Sequence, residues 1–262
     1  MNKLNAHGPR PSLRLLLPLL LLGSLGSATH AADAVPFKFA RVTEVDVTDG
    51  PALNSLMENW TPFVKEHFPG SHQTEFLTDD LGKAIFVDYA KDLSDLERND
   101  KEFQAEVEKY QSLNLPDLFP TYIQSFTASE TSVWENQPEL SYAPSGGESW
   151  EQPFRMVRIF HLKRDKEAAF VEALKAFNEV DRKAGITAPR LILRLKFGPD
   201  APAFAIVVPA KDVLDYYTNY AKRTELRAKD PKWKETLDTL IQSTRRSEIR
   251  HDTLHPDFSK LK

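Results

Sequence analysis

The chain of 262 residues contains no cysteine. That absence excludes disulfides, thiol nucleophiles and cysteine-ligated zinc, and with them the lipidated N-terminal cysteine of a bacterial lipoprotein. Glycine is scarce, ten residues in all, and no glycine-rich phosphate loop occurs. The body of the chain has no apolar run of the ~18 residues that a spanning helix needs. Ser, His and Asp are present, yet no nucleophile elbow or other fixed-spacing catalytic motif frames them. A formal charge of −4 leaves no basic excess for nucleic acid or an anionic membrane surface. What remains, 41% hydrophobic and 27% charged residues, is enough to bury a sizeable core.

The N-terminus has its own composition. Lys3, Arg10 and Arg14 stand in a stretch without acids, an apolar run follows from Leu15 to Leu25, and small residues come next: Gly26, Ser27, Ala28, Ala31, Ala32 and Ala34. This is the layout of a secretory signal over residues 1–31, with cleavage after Ala28, Ala31 or Ala34; the alternative is an uncleaved anchor. Removing 1–31 takes three positive charges and no negative ones, which moves the formal charge from −4 to −7. A periplasmic or secreted, disulfide-free protein is expected, with no membrane contact after cleavage.

The rest of the chain repeats itself. Ile123, Gln124, Ser125, Ser129, Glu130 and Pro138 match Ile241, Gln242, Ser243, Ser247, Glu248 and Pro256 without a gap. Phe37, Arg41 and Val42 lie over Phe154, Arg158 and Ile159, and Ala90-Lys91-Asp92 lies over Ala210-Lys211-Asp212. These registrations define a first repeat over 35–136, a Pro-, Gly- and Ser-rich linker over 137–153 and a second repeat over 154–258. Within the second repeat, Phe154 to Leu162 reads as a strand apolar on both faces. A helix capped by Asp165 and closed by Gly185 follows, with Phe170, Ala173, Leu174, Phe177 and Val180 at helical spacing. Arg190–Phe197 and Phe204–Val208 form a hairpin, Trp233, Leu237, Leu240 and Ile241 mark a further helix, and Ser247–Thr253 is a last strand. In the first repeat Asp49 caps a helix, and Thr74–Leu77 pairs with Ala84–Val87. Tyr216, Tyr217 and Tyr220 read as helix core, and residues 257–262 as a frayed end.

The order β-α-β-β-α-β is the split βαβ, or ferredoxin-like, unit. Two such units in tandem resemble the dimeric α/β-barrel superfamily in a fused form: α+β, packed sheet to sheet, a monomer with an internal pseudo-two-fold axis. That superfamily includes cofactor-free monooxygenases, haem-binding enzymes and proteins of unassigned role. The resemblance therefore leaves three functions open: a binding protein holding a small anionic or amphipathic ligand between the sheets, an enzyme of the cofactor-independent or haem-dependent kind, and an interaction protein with a filled core.

Strand parity supplies the candidate residues. Placing Ala40, Val42, Val157 and Ile159 beneath the helices turns Phe39, Arg41, Thr43, Met156, Arg158 and Phe160 toward the space between the sheets. Arg41 and Arg158, with Arg194 on the hairpin, are then the expected anion contacts, because guanidinium forks suit planar anions. Phe160 and Trp134 would be apolar walls, and Glu130 and Glu248 either line the pocket or pair with Arg41 and Arg158. His251, Asp252 and His255 have ligand-like chemistry, but His251 and Asp252 are adjacent on a strand and point to opposite faces, so no metal is expected. His67 and His72 read as loop residues. A metal or haem role is the minor alternative for that pair, and His161, near a strand end, also leaves haem open; otherwise no cofactor is called for.

Overall fold

The computed structural model describes residues 37–260 apart from 71, 114, 116–119, 121–123, 145–149 and 151. The apolar leader lies outside the described residues, as do Ile123 among the repeat matches and the last two residues of the tail. Among the described residues, eight strands and five α-helices alternate, and no helix is long and apolar enough to cross a membrane.

The first half runs β1 (Phe39–Val47), α1 (Gly50–His67), β2 (Thr74–Asp79), β3 (Lys83–Ala90), α2 (Leu93–Ser112) and β4 (Phe126–Asn136). The second runs β5 (Phe154–Leu162), α3 (Glu167–Lys183), β6 (Leu191–Phe197), β7 (Ala203–Ala210), α4 (Val213–Arg227), α5 (Trp233–Ser243) and β8 (Thr244–Leu254). A short 3₁₀ turn, Pro256–Phe258, ends it.

Local chemistry explains these elements. Asp49 accepts from the Ala52 amide at the start of α1, and Pro51 fits the first turn, where no amide donor is required. The repeated Lys-Asp pair has a physical role. Asp92 and Asp212 each cap the amide three residues on, at 3.0 and 2.8 Å, while Asp95 and Asp215 reach back to the Lys91 and Lys211 amides at 2.9 and 3.3 Å. Gly185 closes α3 at φ +65, a left-handed conformation that costs glycine nothing. The cap of α3 differs from the expectation: Lys166 occupies it without a side-chain bond, and Asp165 only pairs with the Lys166 ammonium.

The eight strands close into a barrel in the order β1-β3-β2-β8-β5-β7-β6-β4, every neighbouring pair antiparallel. Each half contributes four strands in the same relative order, β4-β1-β3-β2 and β8-β5-β7-β6. The two seams are short. Leu77 to Asp79 pair with Leu254 to Asp252, and Val133 to Asn136 pair with Phe197 to Leu193. Beyond them, Phe126–Ser132 and Thr244–Ile249 are held by β1 and β5 alone, and most of their residues are exposed.

Helices cover the outer face. In the second half Phe154, Met156, Phe160, Phe204, Ile206 and Val208 meet Phe170, Leu174, Tyr216 and Leu240 in one large cluster. In the first half a smaller cluster of Val45, Phe76 and Ala84 packs against Leu53, Leu56 and Met57. Of the three tyrosines on α4, only Tyr216 is core; Tyr217 and Tyr220 are exposed.

Two segments read as loose are tied down. In the linker Leu140 and Tyr142 are buried, Asn178 donates to the Leu140 carbonyl at 2.8 Å, and Tyr142 bridges to Arg190. At the C-terminus, Ser259 is buried and accepts from the Phe76 amide at 3.0 Å, and Lys260 bridges to Thr74. The tail is a brace for β2 rather than a frayed end. Composition alone missed this because each contact uses at least one backbone amide or carbonyl, which every residue carries.

Candidate functional site

A cavity of ≈ 450 Å³ lies inside the barrel. Its walls come from alternate residues of every strand: Ala40, Val42 and Glu44 from β1, Glu75 and Leu77 from β2, Val87 and Tyr89 from β3, and Trp134 from β4. The second half adds Arg155, Val157 and Ile159, Leu191 and Leu193, Ala205 and Val207, and Arg250, Asp252 and Leu254. Phe37, Gln73, Trp150 and Pro256 complete the lining from the connecting segments. The volume falls within the usual range of about 300–1,000 Å³ for small-molecule sites, and the mainly apolar lining with a few converging polar groups is typical of them.

The polar groups form two clusters. In one, the Tyr89 hydroxyl donates to Glu75 Oε2 at 2.7 Å, and Arg155 Nη2 stands 3.8 Å from Glu75 Oε1. Burial, then the neighbouring Glu75 carboxylate, pushes the Tyr89 phenol well above its ordinary range. In the other, Arg250 donates from Nε and Nη2 to the two oxygens of Asp252 at 2.7 and 3.0 Å, and from Nη1 to Glu44 across the barrel. Burial pushes the Asp252 carboxyl up to about 6, against the pull of Arg250, with Glu44 and Asp79 adding to the rise.

The residues chosen from parity fall elsewhere. Arg41 is on the outer face, where it donates from Nε to Asp88 at 3.0 Å and from Nη1 to Asp100 at 2.5 Å. Arg194 pairs with Glu167 at the start of α3, at 2.7 Å. Arg158 is also outside the barrel: its guanidinium lies 4.9 Å from the Phe160 ring, and Nε is buried without a hydrogen-bond partner. Phe160 belongs to the helix-side core. Neither arginine takes the glutamate partner considered for it. Glu130 sits exposed across from Glu44, and Glu248 binds His161 Nε2 at 2.8 Å and Arg246 at 2.9 Å. Of the seven predicted contacts, Trp134 alone lines the barrel cavity.

The parity of β1 and β5 is therefore inverted, while Trp134 on β4 turns inward as expected, and Arg250 and Asp252 on β8 turn inward with it. The reason is steric. The barrel interior takes Ala40, Val42, Val157 and Ile159, and the wider helix-side layer takes Phe39, Met156 and Phe160. There an arginine also reaches solvent by its long stem. A strand apolar on both faces carries no inward signal of its own.

Glu44, Glu75, Tyr89 and Arg155 went unrecognised. Each shares its alternate stripe with another polar residue, Asp46 with Glu44, Asp79 with Glu75, Lys83 with Tyr89 and His161 with Arg155, so polarity along the strand did not mark them.

Arg41 instead lines a second cavity of ≈ 370 Å³ between the first-half sheet and its helices, with Thr43, Trp60, Phe86, Asp88, Phe103 and Thr131 among its walls. The second half fills the matching layer with its large core cluster. His72 lies at this cavity, 3.3 Å from Glu102 and 3.8 Å from Asp88, while His67 is exposed. His251 turns to Asp80 and Tyr217, and His255 to Thr78. Among the described residues no group of three potential ligands could hold a metal.

No family model and no curated protein matches the chain. Solved structures do match. One is a putative monooxygenase from Lactobacillus acidophilus, at TM-score 0.52 and 10% identity over 85% of this chain and 98% of that one. Another is an anthrone oxidase-like protein, at TM-score 0.51 and 10% identity over 85% and 93%. A third is a mutant chlorite dismutase from Candidatus Nitrospira defluvii, at TM-score 0.51 and 12% identity over 86% and 94%. The chain has the dimeric α/β-barrel fold. At these identities the likeness establishes the fold alone.

Proposed function

We propose that the barrel is a receptacle for a small, uncharged amphipathic molecule with ring or chain hydrocarbon at its centre. The observation that carries this reading is the ≈ 450 Å³ interior cavity, walled mainly by aliphatic side chains and Trp134. An anionic ligand is disfavoured. The lining cations Arg155 and Arg250 face Glu44, Glu75 and Asp252, so no positive excess is left for a carboxylate. The test is titration of the purified protein with the neutral fluorophore N-phenyl-1-naphthylamine. Saturable binding is expected, and it should be abolished by Ala205→Trp or the smaller plug Val157→Phe, each checked for folding by its thermal transition. Undiminished binding in both folded variants would refute the reading.

A catalytic reading is favoured by one further observation. Asp252 lies at the cavity wall and burial pushes its carboxyl up to about 6, and a carboxyl so raised can exchange a proton with a phenolic substrate. Oxygenation, the reaction named for the monooxygenase and anthrone oxidase-like neighbours, would use such a group if it ran without a cofactor. Oxygen-electrode measurements with anthrone as substrate test it, and rates equal to the protein-free control would exclude that substrate class. Haem does not fit the barrel cavity. Its described lining offers no His, Cys or Met, and the Tyr89 hydroxyl is engaged with Glu75 and held protonated. His161, packed between Glu248 and Arg246, lines neither cavity.

The two halves we read as a tandem duplication of one ferredoxin-like unit, acting as a monomer. Residues 1–31 we read as a cleaved leader that sends the protein to the periplasm. The internal sequence matches and the charge pattern of the leader support this. N-terminal sequencing of protein recovered from the periplasm and its sedimentation mass test both.

A further inference from the structure

Resting on the reading of the barrel as a ligand site, we infer that it selects two-ended molecules: an apolar body carrying a hydrogen-bonding group at each end, with a donor preferred at the Glu44 end. The strand register sets the spacing. Tyr89 pairs with Ala40, and Glu44 lies four residues further along β1 on the same inward stripe. At about 3.4 Å per residue the two groups are separated by roughly 14 Å along the strand. Val42, Val87, Val157 and Val207 belong to the apolar belt that separates them.

The two poles differ in what they offer. At the far pole every nitrogen of the Arg250 fork is already donating, two to Asp252 and one to Glu44. Lys83, the next cation, stands 3.9 Å from Glu44 and closer, 3.4 Å, to Asp46. Arg250 keeps two of its five N–H, but the oxygens of Glu44 and Asp252 dominate this end, and carboxylate oxygen accepts from a hydroxyl or amine and repels another carboxylate. At the near pole the Tyr89 hydroxyl spends its proton on Glu75, so its oxygen can still accept. Arg155 binds the Gln152 carbonyl through Nη1 and holds Glu75 only loosely through Nη2, at 3.8 Å, so it can still donate. This end takes a hydroxyl or a carbonyl.

Rigid stilbenes span such a distance and form a graded series. Isothermal titration of the unmodified protein with 4,4′-dihydroxystilbene, 4-hydroxystilbene, stilbene and stilbene-4,4′-dicarboxylate reads the preference directly. Each added hydroxyl should tighten binding by about fivefold, the scale of one net hydrogen bond, and the dicarboxylate should bind more weakly than stilbene itself. Tyr89→Phe and Glu44→Leu should each erase one step, leaving the dihydroxy compound at the affinity of the monohydroxy one. A flat series, a single step, or preference for the dicarboxylate overturns the two-pole inference. If the series is flat while N-phenyl-1-naphthylamine still binds and the plugged variants still block it, the receptacle reading stands and only the inference falls. If neither the stilbenes nor the fluorophore binds, the receptacle reading falls with it.

Discussion

Replacing Asp252 by Asn should make this protein more stable at neutral pH, not less. Asp252 is buried, faces Glu44 and Asp79, and has Arg250 as its bidentate partner and Arg155 opposite it in the strand register. Its carboxyl is raised from 3.8 to about 6, and burial is the largest cause. The raised value means that the folded state holds a proton which the unfolded chain releases more easily. The associated stability is fully present below about pH 4 and is lost as pH rises through about 6. The difference, at about 1.4 kcal/mol per pH unit, puts the cost of the ionised carboxylate at roughly 3 kcal/mol above pH 7. Asn has the shape of the neutral acid and escapes that cost. For a chain of this size the gain corresponds to a rise of roughly 6–12 °C in Tm at pH 7.5 and only about 2–4 °C at pH 4.5, where the unfolded carboxyl has begun to ionise. Circular-dichroism melts of both proteins between pH 4.5 and 8 provide the assay. Parallel curves across that range, or a variant less stable at pH 7.5, would refute the reasoning and show that the bidentate bond to Arg250 outweighs burial.

Three further outcomes are expected. Asp181 is fully buried between Arg190 and Arg227, so Asp181→Ala leaves two guanidinium groups without their shared carboxylate; urea unfolding should show a loss of about 3–5 kcal/mol. Gly198 has φ +149, and an added Cβ would stand 3.0 Å from Leu195 Cδ1 and 3.1 Å from Ser132 Cβ, beside the β4–β6 seam. Gly198→Ala should therefore cost about 1–3 kcal/mol in the same experiment. Arg158→Ala, which removes a side chain outside the barrel, should leave the affinity for N-phenyl-1-naphthylamine unchanged in a fluorescence titration; a tenfold loss would return Arg158 to the site.

Much of the architecture is written locally. Asp49 and the two Lys-Asp pairs start helices because their carboxylates satisfy amides within four residues, and Gly185 stops one because its backbone tolerates a left-handed turn. Such interactions are contained in short stretches of sequence. The order of strands and helices in each half was legible for this reason.

The site was not legible, because it depends on which face of each strand turns inward. Phe39-Ala-Arg-Val and Met156-Val-Arg-Ile are apolar on both faces, and alternation alone cannot orient them. Tertiary packing decided the matter by size. On β1 and β5 the small aliphatic side chains face the barrel cavity, and Phe39, Met156 and Phe160 lie under the helices with Arg41 and Arg158 beside them. The β2–β3 hairpin sets Tyr89 against Glu75, but only closure of the barrel brings Arg155 to Glu75 and Glu44 to Arg250, 206 residues away. By itself, then, the sequence determined the order of the elements and several of their caps, each a matter of neighbours along the chain. The inner surface and its charges were decided by the tertiary structure, since they exist only where strands distant in sequence meet around a common axis.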